Sequence, residues 1–386
     1  MAINITSDFD GGSIHCSKVE SPDEILLELA ADPVGGELYW FYFRLTGARN
    51  EICRIQLLNA GDAFRLDERK NTDIPGPWID YSACASYDRI KWFRVPTTFK
   101  NGVIEINYKP TSDAIYFASF APYTRDQHSN LISTVLISPQ ASLEVLGLTK
   151  NGHEIELITV GKHDKQKKSC WICARQHPSE TMAQWFSEGL LLRLIDEEDP
   201  LVKKILDEAT FFIVPCMNPD GAWDGRTRRN GSYVDLNREW VNPSFEESPE
   251  VLLVQKKMSE TGVDFFMDIH GEEELPYVFL GGPLEVPSVT DRMIRNFRKF
   301  QDGLQMANPD YKRGYEYPGG PPQNPDLRMA WNYIGEKYQC LSILVEQPFK
   351  DTEHSKNELT GWSSDRSKKL GAASLTALNS VLGDLR

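Results

Sequence analysis

The sequence predicts an α/β protein with a mixed, mostly parallel sheet and helices on both of its faces, preceded by a small all-β sandwich domain. Residues 1–112 contain short strand-like runs separated by turns, with little helical periodicity. From residue 113 onward, apolar runs alternate with amphipathic helical runs, which is typical of a largely parallel sheet. With 386 residues, the chain also exceeds the size at which one core usually keeps growing. We therefore expect two domains, residues 1–112 and 113–386.

Four runs rich in aromatic and β-branched residues predict strands in the first domain. They are ELYWFYFRLTG, EICRIQLLNA, KWFRVPTTF and GVIEINYKP. Their short length and the turns between them are typical of a small sandwich. No Gly/Ser-rich or Pro-rich linker separates the two domains, so we expect them to pack against each other.

Four apolar runs of the second domain each end at a polar residue. The runs are SCWICARQ, FFIVPCMN, DFFMDIHG and CLSILVEQ. In an open α/β sheet, the carboxyl ends of the strands form the crevice in which ligands bind. We therefore expect His177, Asn218, His270 and Glu346 to converge at one edge of the sheet.

The composition restricts the class of partner. The formal net charge is -14, which disfavours nucleic acids and anionic membranes because both attract basic patches. No apolar run reaches the roughly 20 residues that span a bilayer, and the first residues lack the features of a secretory signal. The seven cysteines, an odd number spread along the chain, are typical of a reducing compartment. We expect a cytoplasmic protein with no nucleic-acid or membrane partner.

Cys170 and Cys173 form a C-x-x-C motif, which occurs in redox pairs and in zinc sites. The motif lies inside a strand-like run, and the chain has no second C-x-x-C. Residues three apart in a strand point to opposite faces, so we expect the two sulfurs to diverge.

An H-x-x-E motif, His177 and Glu180, follows the first apolar run, with Pro178 suited to a first helical position. Zinc accepts both ligand types, and a catalytic zinc site has three protein ligands and an open position. Alone, the motif also fits a surface ion pair. His270 ends another strand, where a core-edge histidine bonded to a backbone carbonyl is the alternative. Two histidines at equivalent strand ends, with Glu180 beside the first, favour a metal site.

Hydrolysis at such a site needs a base and cations that hold negative charge. Glu346 closes the apolar run CLSILV and is the candidate base; the alternative is a partner for a nearby arginine. The segment GRTRRNGSYVDLNREW is dense in arginine, for which a solvated charge run is the usual interpretation. Asn237 and Arg238 together favour binding, because a guanidinium beside an amide can grip a carboxylate in bidentate fashion.

The blocks HPSE, NPDG, DLNREW and DIHG, followed by a glutamate that closes a strand, resemble the M14 zinc carboxypeptidases in order and spacing. The segments ELYWFYFRL and FASFAPYTRDQ resemble the cytosolic carboxypeptidase branch, in which a β-sandwich precedes the peptidase domain. The resemblance covers nearly the whole chain. It implies a zinc carboxypeptidase-like fold and a metallocarboxypeptidase with one Zn²⁺ per chain. Its substrates would be the C-terminal tails of peptides or proteins.

The resemblance also implies roles for residues of the metal centre. His177, Glu180 and His270 match the zinc ligands of the family. Glu346 falls where the family keeps the general base that acts on a zinc-activated water. Asp235 matches the aspartate that accepts a hydrogen bond from the first zinc histidine and so orients its ring. Metal-binding histidines generally have such a partner.

The substrate contacts follow from the same resemblance. Asn237 and Arg238 match the pair that grips the terminal carboxylate of the substrate, and Arg228 aligns with the arginine that polarises the scissile carbonyl. Two features depart from the family pattern: the acidic run EEELPYVFL after DIHG, and Arg229 where a neutral residue is expected.

The preferred terminal residue stays open at this stage. Many members of the branch are deglutamylases, which require a cation facing the terminal side chain. Lys312, Arg313 and Arg328 are candidates for that cation, whereas the acidic run 272–274 close to the zinc opposes it. The family also has a tyrosine that covers the substrate. The candidates by region are Tyr311, Tyr315 and Tyr317.

Two other functions compete with this interpretation. One is a zinc-dependent deacylase or amidase acting on N-acyl amino acids, and the other is a non-catalytic peptide-binding protein. The β-sandwich and the Asn237–Arg238 pair favour the carboxypeptidase over the deacylase. The presence of Glu346 with three candidate ligands disfavours a protein that only binds.

Overall fold

A computed structural model describes residues 3–64, 76–318 and 324–385 of the chain. The first part forms ten short strands. These are β1 (Asn4–Thr6), β2 (His15–Ser21), β3 (Glu24–Glu28), β4 (Tyr42–Thr46), β5 (Cys53–Leu57), β6 (Cys84–Ser86), β7 (Phe93–Arg94), β8 (Thr97–Lys100), β9 (Val103–Tyr108) and β10 (Ala114–Ala118). They build two five-stranded sheets, ordered β1-β4-β10-β6-β7 and β2-β3-β5-β9-β8. Neighbouring strands are antiparallel except for the pair β3 and β5. This is the predicted β-sandwich.

Side chains alternate across the first of these sheets. Phe43 and Phe117 stack on each other with ring centroids 5.4 Å apart, in a core that they share with Ile55 and Ile106 of the second sheet. The neighbouring Tyr42 points the other way, into a core formed largely by the second part of the chain. The two parts therefore pack together through a common core, as the missing linker led us to expect.

Each of the four strand-like runs predicted for this part contains at least one strand. The run KWFRVPTTF is divided into β7 and β8, because Pro96 between them has no N–H for a ladder bond. The strand β10 pairs with β4 and β6 although it begins after residue 112. The sandwich thus extends past the residue at which the sequence divides the chain, and the division at 112 and 113 stays a prediction.

The second part contains a seven-stranded mixed sheet. Its strands are β11 (Ala141–Leu148), β12 (Glu154–Val160), β13 (Lys168–Ala174), β14 (Ala209–Val214), β15 (Phe265–Ile269), β16 (Phe279–Gly281) and β17 (Leu341–Glu346). Their order is β11-β12-β14-β13-β15-β17-β16, and the four strands β14, β13, β15 and β17 run parallel. These are the four apolar runs that the sequence singles out. Their carboxyl ends consequently lie at the same edge of the sheet.

Helices cover both faces of this sheet, which confirms the predicted fold class. The α-helices among the described residues are α1 (Arg125–Val135), α2 (Thr181–Leu194), α3 (Pro200–Glu208), α4 (Pro219–Asp224), α5 (Pro249–Thr261), α6 (Asp291–Ala307), α7 (Ala330–Tyr338) and α8 (Ser364–Val381). One face packs against α2, α6 and α8, with Ile172 and Phe300 in its core, and the other packs against α5 and α7, with Trp171 and Val254. Within the described ranges, no helix has the length and apolar character needed to cross a membrane.

The C-x-x-C residues lie on opposite faces of β13. Cys170 belongs to the core on one side of the sheet and Cys173 to the core on the other, and both are buried and free. The sulfurs therefore diverge, as predicted from their spacing.

Candidate active site

The first two candidate ligands lie on the turn between β13 and α2. Arg175 turns the chain there with a left-handed backbone, φ 58°. Its buried guanidinium donates hydrogen bonds to the carbonyl oxygens of Tyr123 (2.8 Å) and Pro178 (3.0 Å). Because these bonds fix the path of the turn, His177 and Glu180 both face the carboxyl edge of the sheet, with Glu180 immediately before α2.

His177, Glu180 and His270 meet in one buried cluster. Nδ1 of His177 lies 2.5 Å from Oε1 of Glu180, and Nδ1 of His270 lies 2.8 Å from Oε2 of the same carboxylate. One nitrogen or oxygen atom from each side chain lies within 4.8 Å of those of the other two. Two imidazole nitrogens and a carboxylate oxygen form a donor set that zinc accepts. The structure thus brings together the three residues predicted to bind the metal.

The charges in this cluster favour an ionised Glu180. Burial raises the pKa of its carboxyl, but the nearby His177 and His270 outweigh burial and lower that pKa to about 2. Burial lowers the pKa of His270, whereas the negative charges of Asp268 and Glu180 raise it well above its usual value. A carboxylate that is ionised at neutral pH is the form required of a metal ligand.

The second nitrogen of each imidazole faces an aspartate. Nε2 of His177 lies 3.1 Å from Oδ1 of Asp235, the residue predicted to orient it, and Nε2 of His270 lies 3.0 Å from Oδ1 of Asp268. Gln176 donates to the same oxygen of Asp268 at 2.7 Å. Such partners fix the tautomer and the orientation of metal-binding histidines. Asp268 was not among the predicted site residues, although it is a charged residue inside the apolar run DFFMDIHG, two residues before His270 and on the same strand face.

Glu346, the candidate base, ends β17 and is buried beside this cluster. Its Oε1 accepts a hydrogen bond from the hydroxyl of Tyr317 at 2.9 Å. Its Oε2 is buried and has no hydrogen-bond partner among the residues that the structure describes. Burial raises the pKa of Glu346 well above its usual value; the charges of Glu180 and Glu272 raise it further, while His270 opposes them. One oxygen is therefore held in place while the other can accept a proton.

The three tyrosines that are candidates for covering the substrate lie in different surroundings. The hydroxyl of Tyr317 donates to Oε1 of Glu346. Tyr315 stacks on His354 with ring centroids 5.4 Å apart, and Tyr311 is fully buried. Of the three, Tyr317 is the one that reaches the candidate base.

Arg228 joins the cluster through Asp235. Its Nε donates to Oδ2 of Asp235 at 2.8 Å, while the other oxygen of that carboxylate faces His177. Burial raises the pKa of Asp235, but Arg228 and His177 outweigh it and hold this pKa well below its usual value. The aspartate consequently links the arginine to the first candidate ligand.

Asn237 and Arg238 lie on one turn of 3-10 helix directly after Asp235. Nδ2 of Asn237 lies 3.3 Å from Nε2 of His270, and its Oδ1 accepts a bond from the backbone N–H of Ala330 at 2.8 Å. Arg238 donates to the carbonyl of Asn237 at 2.9 Å, and its Nε lies 3.6 Å from Asp326. Both residues are thus beside the cluster, with the Asn237 amide already engaged and Arg238 still partly exposed.

Asn218, the remaining polar strand-end residue, has a structural role. Its Oδ1 accepts from the backbone N–H of Gly221 (2.9 Å) at the start of α4, and its amide donates to the carbonyl of Gln176 (3.0 Å). It caps a helix and supports the turn before His177, but it is not one of the three residues that meet in the cluster.

Two family models match the sequence. Residues 5–120 match the cytosolic carboxypeptidase N-terminal domain, and residues 136–328 match zinc carboxypeptidase. Among curated relatives, an uncharacterized protein of Zymomonas mobilis is 38% identical over 385 residues, which is 100% of this chain and 98% of the relative. Mouse cytosolic carboxypeptidase 6 is 26% identical over 263 residues, 63% of this chain and 48% of the relative. The chain therefore spans about half the length of that mouse protein.

Two solved structures are similar over the whole chain. A metallo-carboxypeptidase from Burkholderia cenocepacia is 42% identical with a TM-score of 0.93, covering 99% of this chain and 100% of the other. A metallo-carboxypeptidase from Pseudomonas aeruginosa is 37% identical with a TM-score of 0.93 and the same coverage. The cluster of His177, Glu180 and His270 is compatible with the metal that the names of these two proteins imply. The chain therefore belongs to the M14 family of zinc metallocarboxypeptidases, in the branch that carries the N-terminal domain of the cytosolic carboxypeptidases.

Proposed function

We propose that the protein is a zinc-dependent carboxypeptidase that removes the last residue from peptides or protein tails. The observation that carries this proposal is the convergence of His177, Glu180 and His270 in one buried cluster, with the open Oε2 of Glu346 beside it. The cytosolic name of the mouse relative and the seven free cysteines support a cytoplasmic location.

The three clustered side chains would hold one Zn²⁺ per chain and leave a further coordination position open. When bound, zinc would supply a Lewis acid that lowers the pKa of water and polarises a carbonyl. The donor set fits this ion, as do the aspartates behind the two imidazoles.

Glu346 and Arg228 would carry the chemistry that belongs to the chain itself. Oε2 of Glu346 receives a proton from the attacking water and later gives it to the leaving amine, while Tyr317 holds Oε1. Arg228, whose guanidinium is held by Asp235, would stabilise negative charge on the carbonyl oxygen of the scissile bond.

Arg238 and Asn237 would bind the terminal carboxylate of the substrate. The Arg238 guanidinium is partly exposed next to the cluster, and its contact to Asp326 is long at 3.6 Å. The Pseudomonas aeruginosa neighbour was solved in complex with (2-guanidinoethylmercapto)succinic acid, a compound with two carboxyl groups. Binding of such a compound in a chain of the same fold supports a carboxylate site here.

Amidating the carboxyl terminus of a good peptide substrate should lower kcat/KM by roughly 10²-fold or more, about 2.7 kcal/mol of transition-state stabilisation. The amide cannot pair with Arg238, and a partly desolvated guanidinium left without its anion costs more than an extra contact gains. Arg238→Ala should remove most of this discrimination. The measurement is kcat/KM for matched free and amidated peptides.

Arg313→Ala is the matched control for that experiment. Arg313 is an exposed arginine that pairs with Asp302 on α6, so its loss should leave the discrimination unchanged. Equal cleavage of free and amidated peptides by the unaltered enzyme would contradict a terminal-carboxylate clamp. Faster turnover of N-acyl amino acids than of peptides would instead favour the deacylase alternative.

We further propose that a terminal glutamate is the preferred leaving residue. Arg328 pairs with Asp326 at 2.8 Å, and Nε of Arg238 lies 3.6 Å from the same carboxylate. Arg328 therefore places a second, largely exposed guanidinium close to the proposed carboxylate site. Glu273, in the opposing acidic run, lies near Arg228, but burial and the charges of Glu180 and Glu272 raise the pKa of Glu273 well above its usual value, which favours its neutral form.

Peptides ending in glutamate should therefore show a higher kcat/KM than matched peptides ending in lysine, by roughly 2- to 5-fold, because exposed charge pairs are weak. Arg328→Glu should reduce or invert the preference, whereas Arg313→Glu, the same charge change at the Asp302 pair, should not. A panel of peptides that differ only in the last residue measures this. A preference for lysine in the unaltered enzyme would overturn it.

A further inference from the structure

A carboxylate from the sandwich part of the chain holds the loop that carries Arg228. Asp32 follows β3 and is 4% exposed. Its Oδ1 accepts the backbone N–H of Thr227 at 2.7 Å, and its Oδ2 accepts those of Arg228 and Arg229 at 2.8 and 2.9 Å. Three consecutive backbone N–H groups of the catalytic part thus donate to one side chain that lies nearly 200 residues away in sequence.

Only a carboxylate satisfies this arrangement. Both oxygens of Asp32 accept bonds, whereas asparagine offers one acceptor oxygen and a serine hydroxyl is shorter. Burial raises the pKa of Asp32, and the N–H groups of Thr227, Arg228 and Arg229 partly offset that increase. Charged hydrogen bonds of this kind are stronger than neutral ones, so they restrict the loop more tightly.

Residues 32–37, the segment that begins with Asp32, also contact the side chain of Arg229, the residue that departs from the family pattern. Glu37 accepts from Nη2 of Arg229 at 2.8 Å and from Nε at 3.2 Å. Gly35, with φ +92°, lies so close that an added Cβ would stand 2.2 Å from Nη2 of Arg229. Arg229 therefore attaches the loop to the sandwich part and is not free to meet a substrate in this arrangement.

The contacts continue from Asp32 to the metal cluster. Asp32 fixes the backbone of Arg228, the Arg228 guanidinium donates to Oδ2 of Asp235, and Oδ1 of Asp235 faces Nε2 of His177. A displacement of the loop would consequently move the guanidinium relative to the cluster. Misplacement of a reacting group by about 1 Å can reduce turnover by roughly 10²-fold.

We propose that Asp32 is a positioning residue for catalysis, which acts through the loop to place the Arg228 guanidinium. The sandwich part of the chain thereby contributes to turnover without touching the substrate. This inference rests on the proposed role of Arg228 at the scissile carbonyl.

The test is a double-mutant cycle between Asp32→Asn and Arg228→Ala, measured on the full chain with zinc content determined for each variant. Arg228→Ala should lower kcat by roughly 10²–10³-fold. Asp32→Asn, which removes at least one of the three acceptor contacts, should lower kcat by roughly 10-fold or more, with KM and zinc content nearly unchanged. In the Arg228→Ala background, Asp32→Asn should have little further effect, because residues that act as a unit are not additive.

Glu37→Gln is the matched control. It weakens another contact between the two parts of the chain, at the Arg229 side chain, but leaves the backbone bonds to Asp32 in place. Its kcat should equal that of the unaltered enzyme. A large fall in kcat for Glu37→Gln would show that any weakening of the interface slows turnover, and would overturn a specific role for Asp32.

Three further outcomes would also overturn the inference. Unchanged kcat in Asp32→Asn, with a large loss in Arg228→Ala, would reject Asp32 and leave the proposed function standing. Additive losses in the double variant would show that Asp32 does not act through Arg228. Unchanged kcat in Arg228→Ala would reject the proposed role of Arg228 itself. If Asp32→Asn does not fold, Asp32→Glu, which keeps the carboxylate but displaces it by one methylene group, replaces it under the same criteria.

Discussion

Replacing His270 with alanine is expected to remove both the bound zinc and the peptidase activity. The substitution takes away one of three candidate ligands and leaves Oε2 of Glu180 facing only the backbone N–H of Gly271, at 3.1 Å. Two remaining protein ligands are fewer than catalytic zinc sites use. The unaltered protein should contain about one zinc per chain, the variant should contain almost none, and peptide hydrolysis should fall to the background rate.

His128→Ala separates loss of a ligand from loss of a buried histidine. His128 is also buried, and its Nε2 lies 2.5 Å from a carboxylate oxygen of Glu156, outside the metal cluster. Its removal should lower thermal stability while zinc remains bound. Metal analysis and thermal unfolding of both variants give the comparison. Full zinc occupancy in His270→Ala would show that His270 is not a ligand.

The residues at strand ends were the most predictable part of the site. His270 and Glu346 each follow a mainly apolar run, and such runs predict buried parallel strands whose carboxyl ends meet. The side chains of His270 and Glu346, which follow two different strands, were therefore expected at the same edge of the sheet. The turn that carries His177 and Glu180 was predicted less exactly, because Pro178 was expected at the first helical position, whereas α2 begins at Thr181 directly after Glu180.

Contacts between distant segments could not be predicted in the same way. Periodicity assigns a residue to a face, but it does not say which chain segment covers that face. Asp32 and the N–H of Thr227 are 195 positions apart and meet through the packing of the two parts. Tyr317 lies in a Gly/Pro-rich loop whose path has no periodic signal. β10 begins after residue 112, in the part that the sequence assigned to the α/β domain, so its pairing with β4 and β6 of the sandwich was not predicted.

Replacing Glu346 with glutamine is expected to lower kcat by roughly 10²–10⁴-fold or more while zinc and peptide affinity are retained. Glutamine keeps the size of the side chain and an oxygen that can accept the bond from Tyr317. It cannot accept a proton at the position of Oε2, which is the buried oxygen without a partner among the described residues. The loss should therefore appear in turnover and not in binding.

The pH dependence distinguishes a base from a structural carboxylate. A general base acts in its ionised form, so kcat/KM should rise with pH through the pKa of Glu346, which burial holds above its usual value. This acid limb should disappear in Glu346→Gln. In Tyr317→Phe it should move to higher pH, because the hydroxyl that stabilises the ionised carboxylate is lost. Unchanged turnover in Glu346→Gln, or an acid limb that is identical in all three proteins, would assign Glu346 to the structure of the site and not to proton transfer.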